Sequence, residues 1–206
     1  MPKLLQIFST PIYEYIGNIN DIFLVNKEIE DRLPNILSTD KFENPSGWND
    51  GVITNIKHRF NTIEDYKLYN LKRFIEQHLN KYIAITEAYC PVPLHLTHSW
   101  INFTGFGQGQ NWHQHDDSVV SGVYYFSSNE VDGDIMFKTP NPFVNIEFFP
   151  VGNTVKKQYT VAPKKGKLLL FPGWLEHRVE VNQSNHERIS ISFNFHRDNL
   201  FKNELK

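Results

Sequence analysis

From about His95 onward the chain is cut into short runs rich in Val, Ile, Phe, Tyr and Thr, separated by Gly, Pro, Asn and Asp. Eight such runs can be read: Leu96 to Thr104, Trp112 to Asp117, Val119 to Phe126, Asp134 to Phe137, Val155 to Val161, Lys167 to Phe171, His177 to Val181 and Arg188 to Phe195. Runs of this length and composition, closed by turn residues, are β-strands. Eight of them in about a hundred residues suit a jelly roll, in which two antiparallel sheets face each other and the mouth between them takes a ligand.

The first third reads differently. Asn61-Thr62-Ile63-Glu64 resembles a capping box, and Leu68, Leu71, Phe74, Ile75, Leu79 and Tyr82 recur at spacings of three and four, so a helix is predicted from about residue 61 to Tyr82. Its apolar stripe must lie against its own sheet or against a partner subunit in a homodimer. A second helix is expected over Asp21 to Arg32, stopped by the Leu33-Pro34 step. Residues 40 to 60, with Pro45, Gly47 and Gly51, read as a loop reaching towards the mouth, and Thr139 to Asn153 as a flap too long for a hairpin turn. The expectation is one domain over 1–206, mainly β in an α+β sense, with a mostly helical part at 1–94 and a jelly-roll core at 95–206.

Bulk composition removes several function classes. With 21 basic and 23 acidic residues the formal net charge is −2, which leaves no footprint for nucleic acid and no polybasic run for a membrane. The single cysteine, Cys90, can form no internal disulfide, and no apolar stretch is long enough for a signal sequence or a span, so a cytoplasmic setting is expected. Cys90 lies ahead of the β region with no histidine implied beside it, so nucleophilic catalysis is poorly supported. The Gly105-Phe106-Gly107-Gln108-Gly109 run lacks the strand-loop-helix setting of a phosphate-binding loop.

Among nine histidines, those of His113-Gln114-His115-Asp116-Asp117 stand out, because alternate side chains of an extended strand share a face and would bring His113, His115 and Asp117 together. His177 follows a buried-looking strand and a Pro172-Gly173 turn, which puts it at a rim. Two imidazoles and a carboxylate form an open-faced iron site, for which His113, His115, Asp117 and His177 are the candidates. Arg188 offers a planar clamp for an anion and Ser190, on the same strand face, a hydroxyl beside it. The plainer reading of Arg188 is an exposed strand arginine in a salt bridge. Only one of Tyr124 and Tyr125 can face the cavity, and parity with Gly122 and Phe126 leans to Tyr124. Asn102 and Asn194 are polar residues in apolar strands and need partners if buried. Trp100, Trp112 and Trp174 read first as packing, although Trp174 beside the His177 turn could wall a substrate channel.

Ser99-Trp100-Ile101-Asn102 through Gly107, His113, His115 and Ser118, then Ser121-Gly122-Val123-Tyr124-Tyr125, Leu170-Phe171-Pro172, Leu175-Glu176-His177 and Arg188 to Asn194 resemble the 2-oxoglutarate/Fe(II) oxygenases common in marine bacteria and their phages. Phe8-Ser9-Thr10-Pro11 is also similar to that family's opening. The resemblance implies a double-stranded β-helix, Fe(II) and 2-oxoglutarate as cofactors, and O₂-dependent oxidation, typically hydroxylation, coupled to decarboxylation of the keto acid. It further implies that His115, Asp117 and His177 hold the iron, with His113 as the alternative ligand, that Arg188 and Ser190, with Tyr124 and Asn102, hold 2-oxoglutarate, that His113 and Trp174 otherwise lie on the substrate side, and that the substrate is a small molecule or a protein side chain. Two rival readings are a cupin-like metal enzyme that uses no keto acid and a non-catalytic jelly-roll binding module.

Overall fold

A computed structural model describes residues 9–46, 51–86, 93–142 and 157–197. Short strand β1 (Tyr13–Ile16) leads into helix α1 (Ile19–Thr39); strand β2 (Ile53–Thr54), helix α2 (Thr62–Asp65) and helix α3 (Tyr69–Ile85) follow. The β region then holds β3 (Leu94–Thr104), β4 (Gln110–His113), β5 (Val120–Ser127), β6 (Ile135–Lys138), β7 (Gln158–Val161), β8 (Lys167–Pro172), β9 (His177–Val179) and β10 (Arg188–Arg197). These last eight answer one for one to the runs read from the sequence. They form two facing sheets: β8-β5-β10-β3, widened by β1 and β2 into the order β1-β8-β5-β10-β3-β2, and the smaller β4-β9-β6-β7, with all named pairs antiparallel.

Period-two alternation gives the large sheet two unlike faces. Ile191, Phe193 and Phe195 of β10, Ile101 of β3, Tyr124 of β5 and Leu168 and Leu170 of β8 point outward and join one core with α1 and α3. The stripe of Leu71, Phe74, Ile75, Leu79 and Tyr82 fills that core, so the helix lies on its own sheet rather than presenting the stripe to a second copy. Val123 and Tyr125 of β5 and Leu169 and Phe171 of β8 point inward, against Ile135 and Phe137 of the small sheet.

Three expectations need correction. Proline does not stop the first helix: α1 runs through Pro34 to Thr39. Pro34 and Glu30, the residue whose carbonyl loses its donor, are both exposed, so water can satisfy that carbonyl and the break is not forced. The single helix predicted from residue 61 is two. Asn61 caps α2 as expected, accepting from the Glu64 N–H at 3.3 Å, but Lys67 takes a left-handed φ of 56° and the chain restarts at Tyr69. With no cap of its own, α3 takes Glu28 of α1, whose carboxylate accepts from the Asn70 N–H at 2.9 Å and the Leu71 N–H at 3.1 Å. Finally, the strand expected over Trp112 to Asp117 ends at His113, with consequences for the site. The short edge strands β1 and β2 were not anticipated. Most of the expected flap (residues 143–153), the start of the expected strand at Val155, Phe8 of the family-like opening and Cys90 lie outside the described residues. No helix among the described residues is long and apolar enough to cross a membrane.

Candidate metal centre

A cavity of about 650 Å³ opens between the two sheets. Its floor and wall come from the even-numbered residues of β10, Arg188, Ser190, Ser192, Asn194 and His196, and of β3, His98, Trp100, Asn102 and Thr104. Along β10 the pattern is polar inward and apolar outward, the reverse of a sheet that covers a dry core.

His113, His115 and His177 converge here, with one ligand nitrogen of each lying within 4.8 Å of the other two. His113 ends β4 and His177 opens β9, and the two are direct cross-strand partners. His115 sits just beyond β4. Its backbone N–H donates to the Gly173 carbonyl at 2.9 Å, and a Cβ on Gly173 would lie 2.2 Å from the Ser118 carbonyl oxygen, so only glycine lets the His115 turn dock on the turn that carries His177.

Each imidazole is oriented through Nδ1. His113 Nδ1 lies 2.7 Å from the Asn111 carbonyl and His177 Nδ1 2.8 Å from the Leu175 carbonyl. A backbone carbonyl can only accept, so both Nδ1 atoms carry the proton and the lone pair falls on Nε2. His115 Nδ1 lies 2.9 Å from Oδ1 of Asn194, which also accepts from the Ser121 hydroxyl at 2.8 Å. Such outer hydrogen bonds fix the tautomer a metal needs. Burial, reinforced by His113, lowers the pKa of His115 to about 4, and burial first, then His113 and His115, holds His177 well below its ordinary value. Around neutral pH His115 and His177 therefore offer lone pairs rather than charges. Phe171 lies edge-on to His177 at 4.8 Å and Trp100 stacks on His115 at 5.8 Å.

Asp117, expected as a ligand, is not in this cluster. After His113 the chain leaves the extended state, and the Ser118 N–H donates to the His115 carbonyl at 3.0 Å, closing a turn on which Asp116 and Asp117 are exposed. The alternation that would have aligned residues 113, 115 and 117 ends there. Asp117 instead acts electrostatically on His98 and His196, countering part of the fall in their pKa values caused by burial. The alternative ligand, His113, completes the group of three.

At another part of the cavity wall lies Arg188, 2 % exposed. Its guanidinium donates to the Asp132 carbonyl at 2.9 Å, the Gly133 carbonyl at 2.5 Å and the Thr104 hydroxyl at 3.1 Å, while its Nε has no partner. No carboxylate among the described residues lies within salt-bridge distance of it, so the plain reading of an exposed, ion-paired arginine does not hold. Ser190 lines the same wall, as does Asn102, whose amide donates to Ser192 Oγ at 3.0 Å and whose Oδ1 is unpartnered.

Two expected site residues sit elsewhere. Tyr124 points out of the cavity, ring against Phe74 and hydroxyl donating to Asn26 Oδ1 at 2.8 Å; Tyr125 is the one that lines it. Reading parity from Gly122 and Phe126 misassigned the pair, whereas parity from Val123, whose side chain packs inward, would have chosen correctly. Trp174 is 49 % exposed and does not line the cavity; Trp100 and Trp112 do. Also missed were Arg59, Phe60, His98 and His196 at the same cavity. The two histidines carry a usable signal, since His98 shares strand parity with Trp100 and Asn102, and His196 with Arg188 and Asn194.

Comparisons with known proteins bear on the fold. Residues 98–194 match the family model described as "Putative 2OG-Fe(II) oxygenase". The epimerase SnoN of nogalamycin biosynthesis superposes with a TM-score of 0.63 at 13 % identity, over 91 % of this chain and 79 % of that one. A prolyl-4-hydroxylase from Pseudomonas putida gives 0.59 at 15 %, over 92 % and 94 %. HygX from Streptomyces hygroscopicus, solved with nickel and 2-oxoglutarate bound, gives 0.58 at 13 %, over 92 % and 84 %. At these identities the likeness establishes the fold: the chain is a double-stranded β-helix. No match is found among curated protein sequences.

Proposed function

We propose that this chain is an Fe(II)- and 2-oxoglutarate-dependent oxygenase that holds iron through His113, His115 and His177 and the distal carboxylate of 2-oxoglutarate through Arg188 with Ser190. The observation that carries this reading is the buried Arg188, with no carboxylate of the described residues in salt-bridge contact, in the same cavity as three converging imidazoles. Burying an unpaired cation is unfavourable by several kcal/mol unless an anion joins it. A metal dication and a guanidinium lining one cavity suit a dicarboxylate with an oxo acid at one end. A keto-acid-free enzyme or a plain binding module leaves Arg188 without a use.

The donor set departs from two histidines and a carboxylate but keeps three protein donors and an open face. Imidazole ligands bring no negative charge to a 2+ metal, which favours an anionic chelating group such as the oxo-acid end of 2-oxoglutarate. When bound, iron supplies the capacity to couple O₂ to decarboxylation of the keto acid, with the balance R–H + O₂ + 2-oxoglutarate → R–OH + succinate + CO₂. The chain's residues do the rest. Asn194, Leu175 and Asn111 hold the imidazole tautomers, Arg188 and Ser190 orient the keto acid, and Asn102 and Tyr125 border it. Burial pushes Tyr125 up to about 12, opposed by Arg188, so its hydroxyl stays a donor. Phe171 and Trp100 keep water from the imidazoles. We read the enzyme as a cytoplasmic hydroxylase of a small molecule or a protein side chain, working as a single domain.

Anaerobic titration with Fe(II) and 2-oxoglutarate, following the visible charge-transfer band of the chelate, tests this. Wild type should form the band, and Arg188→Met should bind iron but need far more 2-oxoglutarate. Iron binding without any band in wild type overturns the keto-acid role.

A further inference from the structure

Arg188 opens β10, and what aims its guanidinium, besides the Thr104 hydroxyl of β3, is not a carboxylate but the main chain of the loop between β5 and β6, residues 128–134. Carbonyl acceptors on a loop are only as well placed as the loop itself. This loop is held from inside. The Asp132 carboxylate, 0 % exposed, accepts from the Ser128 hydroxyl at 2.9 Å, the Asn129 N–H at 3.0 Å and His186 Nδ1 at 3.0 Å. His186 belongs to the loop between β9 and β10, so Asp132 ties the two loops together next to the arginine. The seam is reinforced by Asn129 donating to Ser184 Oγ at 3.1 Å and the Glu180 N–H donating to the Asp134 carbonyl at 2.8 Å. Gly133 passes so close that a Cβ would lie 2.3 Å from the Glu180 carbonyl oxygen, at a φ of +97° that favours glycine.

Asp132 does not line the cavity. Its carboxylate bonds Ser128, Asn129 and His186 and, like that of Asp134, acts on the guanidinium only through space, while the guanidinium hydrogen-bonds its carbonyl. That leaves the arginine fixed in direction with no carboxylate of the described residues in contact with it, which is what a carboxylate-recognising cation requires.

We infer that Asp132 is a positioning residue: by locking the β5–β6 loop to the β9–β10 loop it sets the two carbonyls that aim Arg188, and so fixes recognition of the co-substrate's distal carboxylate. The inference rests on the keto-acid reading above. It acts through geometry rather than charge, so the two substitutions that remove the charge should differ. Asp132→Ala loses every acceptor, whereas Asp132→Asn keeps the shape and an oxygen for the Asn129 and His186 donors.

The test compares anaerobic binding of 2-oxoglutarate and of 2-oxovalerate, which chelates the same metal but has no distal carboxylate, to the iron-loaded protein. Wild type should prefer 2-oxoglutarate. Asp132→Ala should weaken 2-oxoglutarate about tenfold while 2-oxovalerate stays unchanged, and Asp132→Asn should remain within about threefold of wild type. Should Asp132→Ala fail to fold, the more exposed His186 carries the test: His186→Leu should shift the preference in the same direction and His186→Gln, which restores a donor, should recover it. Equal loss of both keto acids in Asp132→Ala or His186→Leu would mean a merely structural role and overturn the inference; equal loss in Asp132→Ala and Asp132→Asn would assign the effect to charge and overturn it too. If wild type forms a chelate with neither keto acid, the functional reading itself falls, and the inference with it.

Discussion

The two faces of the large sheet are built by the same strands and do opposite things. On β10 the outward Ile191, Phe193 and Phe195 are all fully buried against helices α1 and α3. One residue away in each case, Ser190, Ser192, Asn194 and His196 turn into the cavity, where unpartnered polar atoms collect: Asn102 Oδ1, Trp100 Nε1 and Arg188 Nε. Apolar burial on one side supplies the stability that lets the other hold a site with unpartnered polar atoms. Substitutions should therefore separate by residue parity, outward changes acting on unfolding and inward ones on ligand affinity.

The largest inward effect is expected at the metal cluster. His177→Ala should abolish iron binding, whereas Asp117→Asn on the exposed turn should leave it unchanged, as read by equilibrium dialysis. Loss of iron binding in Asp117→Asn as well would restore the two-histidine, one-carboxylate frame. The outward counterpart is Phe193→Ala, which should destabilise the protein by about 3–5 kcal/mol in denaturant unfolding because it opens a cavity in a packed core. At its neighbour, Ser192→Ala should cost no more than about 1 kcal/mol, the loss of one hydrogen bond from Asn102. Comparable losses at both positions would erase the parity rule.

A smaller outward effect depends on pH. His78 of α3 lies under the rings of Tyr15 and Phe74, with the Tyr13 hydroxyl 2.6 Å from its Nδ1. Burial first, then the nearby Lys81 charge, lowers its pKa to about 4, against a small opposing pull from Asp21. Between about pH 4 and 6.5 the unfolded chain therefore binds a proton that the folded chain refuses, so stability rises with pH through this window. It is fully present above about 6.5 and lost as pH falls towards 4. The contribution is on the order of 2 kcal/mol, and a His78→Gln variant should show a correspondingly flatter unfolding free energy across that window in the metal-free protein. Identical slopes in the two proteins would sink the assignment.

Legibility in the sequence follows the same division. The eight core strands and the α3 stripe were readable because alternation and three-four spacing are direct consequences of backbone period. His177 was readable from the Pro172-Gly173 turn that follows a buried strand, Arg188 from its planar clamp and the family resemblance, and Ser190 from strand parity with Arg188. What failed was local: Asp117 was lost to a turn that interrupts the period after His113, and the Lys67 break depends on Glu28, a cap supplied from 42 residues away and invisible to local propensity. The helix passing through Pro34 depends on which side faces water, a tertiary property.

Tyr124 and Tyr125 put the rule to its finest test, since they are adjacent, equally tyrosine and almost equally buried. Tyr124→Phe removes the hydroxyl that donates to Asn26 of α1 and should cost about 1 kcal/mol of stability, with 2-oxoglutarate affinity untouched. Tyr125→Phe removes a hydroxyl from the cavity wall beside Arg188 and should change the unfolding midpoint little while weakening 2-oxoglutarate binding by roughly three- to tenfold. Chemistry and burial are matched in the pair, so a difference in which property moves can come only from which way each ring points.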